Sequence, residues 1–140
     1  MQFDPHQHRC TLIIDSQLPT GLALNAASVI GISFGKLIDH IVGPDLQSED
    51  GFNYPGVIYA PLPVLLAEGG YLRELQKASN ADPEIFAMPF SALAQSCKTY
   101  EEYGERIASA HSDHIELVAI GLIGPKKKIT GLTGNLKLFR

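Results

Sequence analysis

The chain has few of the residues on which several common protein classes depend. It has no tryptophan, and its 2 cysteines, Cys10 and Cys97, are too far apart for a disulfide framework or a Cys-pair metal motif. Its 11 Lys and Arg against 15 Asp and Glu give a net charge of −4. A domain that binds nucleic acid through phosphates usually carries a basic excess instead. We therefore expect free thiols and no nucleic-acid partner.

Long apolar runs and metal motifs are also missing. No apolar run is long enough to span a bilayer, and Asp4 and Arg9 interrupt the start of the chain, where a signal sequence would be apolar. The 5 histidines show no H-E-x-x-H spacing and have no cysteine pair beside them. These absences predict a cytoplasmic protein with no membrane association, no cofactor and no metal site.

The patterns that are present alternate between strand and helix. Apolar runs at 10–15, 62–66, 85–88 and 115–123 predict strands, and helical spacing follows each of the first three, at 20–41, 71–79 and 99–110. This order predicts an α/β three-layer sandwich with a central mixed sheet of about four strands flanked by helices. We expect a loose polar start over residues 1–8 and a single α/β domain over residues 9–140.

The first predicted helix, 20–41, is apolar on nearly every side. Ile30 lies on one apolar stripe, and Ile32 places an apolar group on another. A helix of this kind is buried on more than one side, so we expect it to contribute to a homodimer. Gly31 and Gly35 lower its helix propensity, and the close approach of a neighbouring element would explain them.

The first candidate site lies where the first strand ends. Asp15 and Ser16 occupy the carboxyl end of that strand, where open α/β sheets bind ligands. Thr20 and Asn25, in the following helix, are expected to face the same crevice, and the irregular stretch 43–63 is expected to cover it. The alternative is that Asp15 and Ser16 only stabilise the turn and the start of the helix.

A second candidate is Cys97, which precedes a capping box formed by Thr99 and Glu102. A thiol near a helix start and beside Lys98 has the surroundings of a nucleophile. The alternative is an ordinary small residue that is partly buried. The Gly69–Gly70 pair, between a strand and a helix, is a weak anion-binding pattern.

Both ends of the chain resemble the archaeal and eukaryotic type of peptidyl-tRNA hydrolase. The stretch 17–32 (QLPTGLALNAASVIGI) aligns without a gap with that family's D-L-x-M-G-K-G-K-x-A-A-Q-x-x-H-A, and 132–138 (LTGNLKL) aligns with V-T-G-H-L-K-L. With the apolar strand that precedes the first stretch and the segment 119–131 that precedes the second, the matched segments cover about a third of the chain. The chain is still more similar to a small bacterial family, domain of unknown function 2000, which is thought to share the hydrolase fold. The resemblance implies a mixed sheet of about four strands between helices, and a dimer.

The departures from the hydrolase pattern concern its charged centre. Leu24 stands in the register of the required lysine, and Phe90 or Ser91 in that of the catalytic aspartate. A leucine cannot donate a hydrogen bond or stabilise an oxyanion, so peptidyl-tRNA hydrolase activity is not expected. The first acid, the glutamine and the histidine of the pattern are replaced by Gln17, Ser28 and Gly31.

The closing segment, 129–139, is predicted to be structural. Leu132, Leu136 and Leu138 are expected in the core, with Lys137 pointing outward. In the hydrolase family this tail closes the sheet beside the first strand and helix.

Three functions stay open on this reading. The first is non-catalytic binding of a small ligand or peptide in the crevice, with candidate residues Asp15, Ser16, Thr20, Asn25 and Ser91. The second is an enzyme of the hydrolase type that uses a new set drawn from Asp15, Asn25, Ser91 and Cys97. The third is a dimeric interaction protein whose first helix is the contact surface.

Overall fold

The computed structural model describes residues 1–140, which form two layers of helices around one sheet. The strands are β1 (His8–Asp15), β2 (Leu46–Gln47), β3 (Asn53–Tyr54), β4 (Val64–Ala67), β5 (Phe86–Ser91), β6 (Leu117–Pro125) and β7 (Lys137–Leu138). The helices are α1 (Thr20–Leu37), α2 (Gly69–Asn80), α3 (Ala92–Ser96), α4 (Tyr100–Ala108) and α5 (Lys126–Thr133). The α/β layer prediction is confirmed.

The main sheet is mixed and has five strands in the order β5-β6-β1-β4-β7. Strand β1 pairs in parallel with β4 and antiparallel with β6, while β5 and β7 run antiparallel to their neighbours β6 and β4. The strand beyond the expected four is β7, whose two residues are too few to show a period. Strands β1, β4 and β5 therefore run in one direction and end at the same edge.

Side-chain alternation along β1 divides the interior into two cores. Leu12 and Ile14 pack against α1, whereas Ile13 faces α2 and α5, where it joins Leu72 and Ile129. Strand β6 lies between β5 and β1 and is buried along almost its whole length, which explains why its sequence is apolar on both faces.

The close contact between α1 and the sheet is made by a strand glycine. A Cβ at Gly121 of β6 would overlap the ring of Phe34 and lie 2.6 Å from Ile30 Cγ2. By contrast, a Cβ at Gly31 or Gly35 would meet nothing within 4 Å. The expectation that these two helix glycines admit a neighbouring element of the chain is therefore wrong.

The start of the chain is anchored and not loose. Phe3 is 3% exposed and belongs to the α1-side core. Its backbone N–H donates to the Asp39 carbonyl at 2.8 Å, just after α1. The Lys126 N–H also donates to the Gln7 carbonyl at 3.0 Å, so contacts with distant residues hold this segment, which composition alone does not reveal.

The irregular stretch 43–63 lies away from the carboxyl end of β1. The Tyr59 N–H donates to the Ile41 carbonyl at 3.0 Å, and the Pro63 carbonyl accepts from Leu12 N at 3.0 Å. The stretch carries the small β2–β3 ribbon and packs beside the first half of β1. The expectation that it covers the crevice at the end of β1 is wrong, because these contacts hold it elsewhere.

The tail is less buried than expected, most of all at Leu138. Leu132 and Leu136 are half-buried against the α2-side core, but Leu138 is 49% exposed and Phe139 packs instead against the α1-side core. The reason is the edge position of β7, which leaves one face of a two-residue strand uncovered.

Helix α1 is long and apolar enough by composition to cross a membrane. In this fold one of its faces packs on the sheet through Ala23, Ala26, Ile30 and Phe34.

Candidate functional site

The predicted site residues Asp15 and Asn25 lie on opposite sides of the sheet. Asp15 shares the face of Ile13 and lines a small depression beside Gly69 and Arg73 of α2. Asn25 belongs to α1, which covers the other face. The predicted crevice is thus divided, because Asp15, two positions after Ile13, points to the α2 side of β1, whereas α1 covers the side of Leu12 and Ile14.

Asp15 and Ser16 have local roles in the turn after β1. Asp15 Oδ1 accepts from Gln17 N at 2.9 Å, and Ser16 N donates to the Ala67 carbonyl at 2.8 Å. Neither residue caps α1, whose N-cap position is Pro19 and has no side-chain cap. Thr20 is exposed in the first turn of α1.

Ser91 is a helix cap. It is 5% exposed, and its Oγ accepts from Ala94 N at 3.1 Å at the start of α3. At this position the chain passes from β5 into α3, so a hydroxyl there accepts from a backbone amide at the helix start that would otherwise be unpaired.

Asn25 lines a groove of about 490 Å³ between α1, β5 and the α3–α4 pair, which we call the Asn25 groove. The apolar side chains of the groove are Val29, Met88, Pro89, Phe90, Ala94 and Tyr103, and its polar ones include Asn25, Ser33, Gln95, Lys98 and Thr99. This volume is in the range of small-molecule sites, which combine an apolar lining with a few placed polar groups.

Two amides are fixed at the rim of the groove. Gln95 Nε2 donates to Asn25 Oδ1 at 3.0 Å and to the Leu22 carbonyl at 2.9 Å. These bonds leave the Asn25 amide nitrogen as a donor and the Gln95 amide oxygen as an acceptor. Gln95 was not predicted as a site residue, since nothing in the sequence joins it to residues 70 positions away.

The Thr99 cap of the predicted capping box is confirmed, while the reciprocal bond of Glu102 goes to Lys98 N and not to Thr99 N; the motif shapes the opposite rim. Thr99 Oγ1 accepts from Glu102 N at 3.0 Å, and Glu102 Oε2 accepts from Lys98 N at 3.2 Å. The first turn of α4 then presents Tyr100 and Tyr103, whose rings meet edge to face at 5.7 Å. The three-residue spacing of these tyrosines after a capping box was the available signal for an aromatic rim.

Cys97 also lines the Asn25 groove and is half-buried. Arg106 Nη1 lies 3.7 Å from its Sγ and 3.2 Å from Ser96 Oγ. No histidine lines the groove. The thiol therefore has a cation beside it and no general base.

The other cysteine is a core residue. Cys10 is fully buried, and burial raises the pKa of its thiol to about 11. Its Sγ donates to the Pro61 carbonyl at 3.6 Å. A thiol held neutral in this way is inert at physiological pH.

The remaining candidate patterns do not form ligand sites. The Asp15 carboxylate lies within 3.0 Å of the place where a Gly69 Cβ would stand, so a negative charge already faces the expected anion cradle. No group of three or more His, Cys, Asp or Glu side chains is placed to hold a metal ion.

Comparisons with known proteins identify a family and a fold. Residues 8–140 match the family model described as "Protein of unknown function (DUF2000)". A solved structure of a protein of unknown function from Agrobacterium tumefaciens strain C58 is similar, with a TM-score of 0.78 and 17% identity. The similarity covers 96% of this chain and 98% of that one. No curated protein sequence matches the chain.

Proposed function

The chain belongs to the DUF2000 family, whose description assigns no activity, and we propose that it binds a small ligand or peptide segment in the Asn25 groove. The observation that carries this proposal is the combination of an apolar lining with fixed amides in one groove of ligand size.

The groove favours a ligand with an apolar body and one polar acceptor. Val29, Met88 and Phe90 offer apolar surface, while the Asn25 amide and the Lys98 ammonium offer donors. A carbonyl or a carboxylate attached to an aromatic or branched apolar group matches this set. N-acetylphenylalanine is a minimal probe with both features.

The test is a titration with N-acetylphenylalanine followed by amide shifts in a two-dimensional NMR spectrum. We expect saturable shifts at Asn25, Val29 and Gln95, and their loss in Ala94→Phe, which fills the groove. Ala108→Phe, on exposed α4 surface, is the matched control. Equal shifts in both variants, or none in the wild type at millimolar probe, would contradict the proposal.

We also propose that the chain has a scaffold like that of the peptidyl-tRNA hydrolase; the end motifs and the α/β architecture support this part of the proposal. Peptidyl-tRNA cleavage is not expected, because a leucine, Leu24, stands at the position of the required lysine, where it is 61% exposed. It borders an apolar depression with Ile14, Ala27, Val64 and Phe139, where no charge can stabilise an oxyanion. Turnover of peptidyl-tRNA at catalytic enzyme concentration would overturn this prediction.

An enzyme built on Asp15, Asn25, Ser91 and Cys97 is supported less well. Asp15 faces α2, Ser91 is used as a cap, and Cys97 has no base in its groove. Binding without catalysis accounts for the same residues and requires neither a general base nor a free nucleophile.

We further propose that a second copy of the chain covers the outward face of α1. Leu24 and Ile32 are 61% and 75% exposed there, beside the open glycines Gly31 and Gly35. Small residues let two helices approach closely, and this face is free of acidic side chains, so a two-fold contact brings no carboxylates together.

The free thiols of Cys10 and Cys97 support a reducing compartment such as the cytoplasm.

A further inference from the structure

A second groove opens at the opposite end of the sheet and on the opposite face, and we call it the Arg9 groove. It lies between the start of β1, the segment 60–63 and the flank of α5, with a volume of about 460 Å³. Arg9 and Lys126 line it, and no Asp or Glu does. In a chain of net charge −4 this is a local concentration of positive charge.

The cations of the Arg9 groove have no acidic partner. Neither Arg9 nor Lys126 has a carboxylate within 4.0 Å, whereas Lys128 pairs with Asp82 and Glu84 at 2.7 and 2.8 Å. Arg9 is instead oriented by a neutral group, since its Nη1 donates to Thr130 Oγ1 at 2.6 Å. Its remaining N–H groups and the Thr130 O–H are left as donors.

His8 adds a further donor to the groove. Its Nδ1 accepts from Asp4 N at 2.9 Å, which fixes the tautomer with the proton on Nε2. The nearby backbone acceptors are already occupied. The Pro63 carbonyl accepts from Leu12 N and Thr11 Oγ1, both at 3.0 Å, and Pro61 accepts from a thiol.

We infer that the Arg9 groove binds a small phosphate monoester. A guanidinium, an ammonium and a hydroxyl line this one groove, and no carboxylate occupies their donors, which suits the several oxygens of a phosphate dianion better than a single carboxylate. The groove is larger than a phosphate, and its mostly polar lining leaves room beside the charges for the organic part of a small ester. This site is independent of the Asn25 groove.

The test is an NMR titration of the full chain with glycerol 3-phosphate, at ionic strength held constant with sodium chloride. We expect saturable shifts at Arg9, Lys126 and Thr130, and none with glycerol. Arg9→Gln should weaken binding about tenfold or more, and Thr130→Val, which keeps the shape and removes the hydroxyl, by less. Arg106→Gln, on α4 beside Cys97 and outside the Arg9 groove, is the matched control and should bind as the wild type does.

Several outcomes would overturn the inference. They are shifts that never saturate, equal binding by Arg9→Gln and wild type, or a preference for an RNA duplex over glycerol 3-phosphate. Should Arg9→Gln fail to fold, Lys126→Gln gives the same test, because Lys126 is exposed at the start of α5. Inorganic phosphate as a second probe separates recognition of the phosphate from recognition of the ester, and equal affinity for both would limit the site to phosphate.

Discussion

Helix α1 has two apolar faces, and only one of them meets another part of the chain. The inner face packs through Ala26, Ile30 and Phe34, each no more than 2% exposed. The outer face carries Leu24 and Ile32, which are 61% and 75% exposed. Both faces carry apolar side chains, but their burial is opposite, and the exposed side of the helix also carries Asn25, Ser28 and Lys36.

The difference between the faces comes from the partner and not from the helix. The inner face is complementary to a sheet whose Gly121 makes room for Phe34 and Ile30. The outer face has glycines of its own, at positions 31 and 35, with nothing beside them. A small residue marks a close contact only when another surface reaches it, which depends on the rest of the fold.

The strongest way to test the comparison is to truncate one apolar side chain on each face. Phe34→Ala removes a buried ring and should lower the free energy of unfolding by about 3–5 kcal/mol. Ile32→Ala should change it by less than about 0.5 kcal/mol, because that side chain is already in water. Urea unfolding at low micromolar concentration measures both. Similar losses for the two variants would mean that the outer face is buried in the monomer.

A smaller effect, of opposite sign on the two sides, is expected from adding one methyl group. Gly121→Ala drives a Cβ into the Phe34 ring and should destabilise the fold by about 1–3 kcal/mol. Gly35→Ala has open space around it and should stabilise the helix by about 0.5–1 kcal/mol. Thermal unfolding of both variants measures the contrast, and a destabilising Gly35→Ala would contradict it.

The order of β1, α1, β4, α2, β5, α4 and β6 could be predicted from the sequence, because each of them has its own local period or cap, whereas the short helices α3 and α5 were not predicted. The buried run at 115–123 and the capping box at Thr99 are signals of this kind, and both correspond to observed elements. The pairing of β7 with β4 and the burial of Phe3 could not be predicted from local patterns, because both depend on contacts with distant parts of the chain; the family resemblance placed the tail at the sheet, but beside β1.

The candidate site was predicted only in part, for the same physical reason. Asn25 lies in a groove, but its neighbour Gln95 comes from a helix that no local pattern connects to α1. Asp15 was assigned to the same crevice because it follows β1, yet side-chain alternation places it on the α2 face. The Arg9 groove was missed entirely, since it is formed by β1, a loop and α5, which are far apart in sequence.

The smallest effect on the stability of the monomer is expected from a charge on the outer face of α1. Such a charge tests whether a second copy of the chain covers that face. Ile32→Glu places a charge at the centre of that face and, in a two-fold contact, opposes it to its own copy. We expect wild-type chains to associate at high micromolar concentration in sedimentation equilibrium, and Ile32→Glu chains to stay monomeric. Val57→Glu is the matched control, because Val57 is 74% exposed against 75% for Ile32 but lies in the 43–63 stretch. Equal association of the two variants would place the contact elsewhere, and a wild type that is monomeric throughout would remove the proposed dimer.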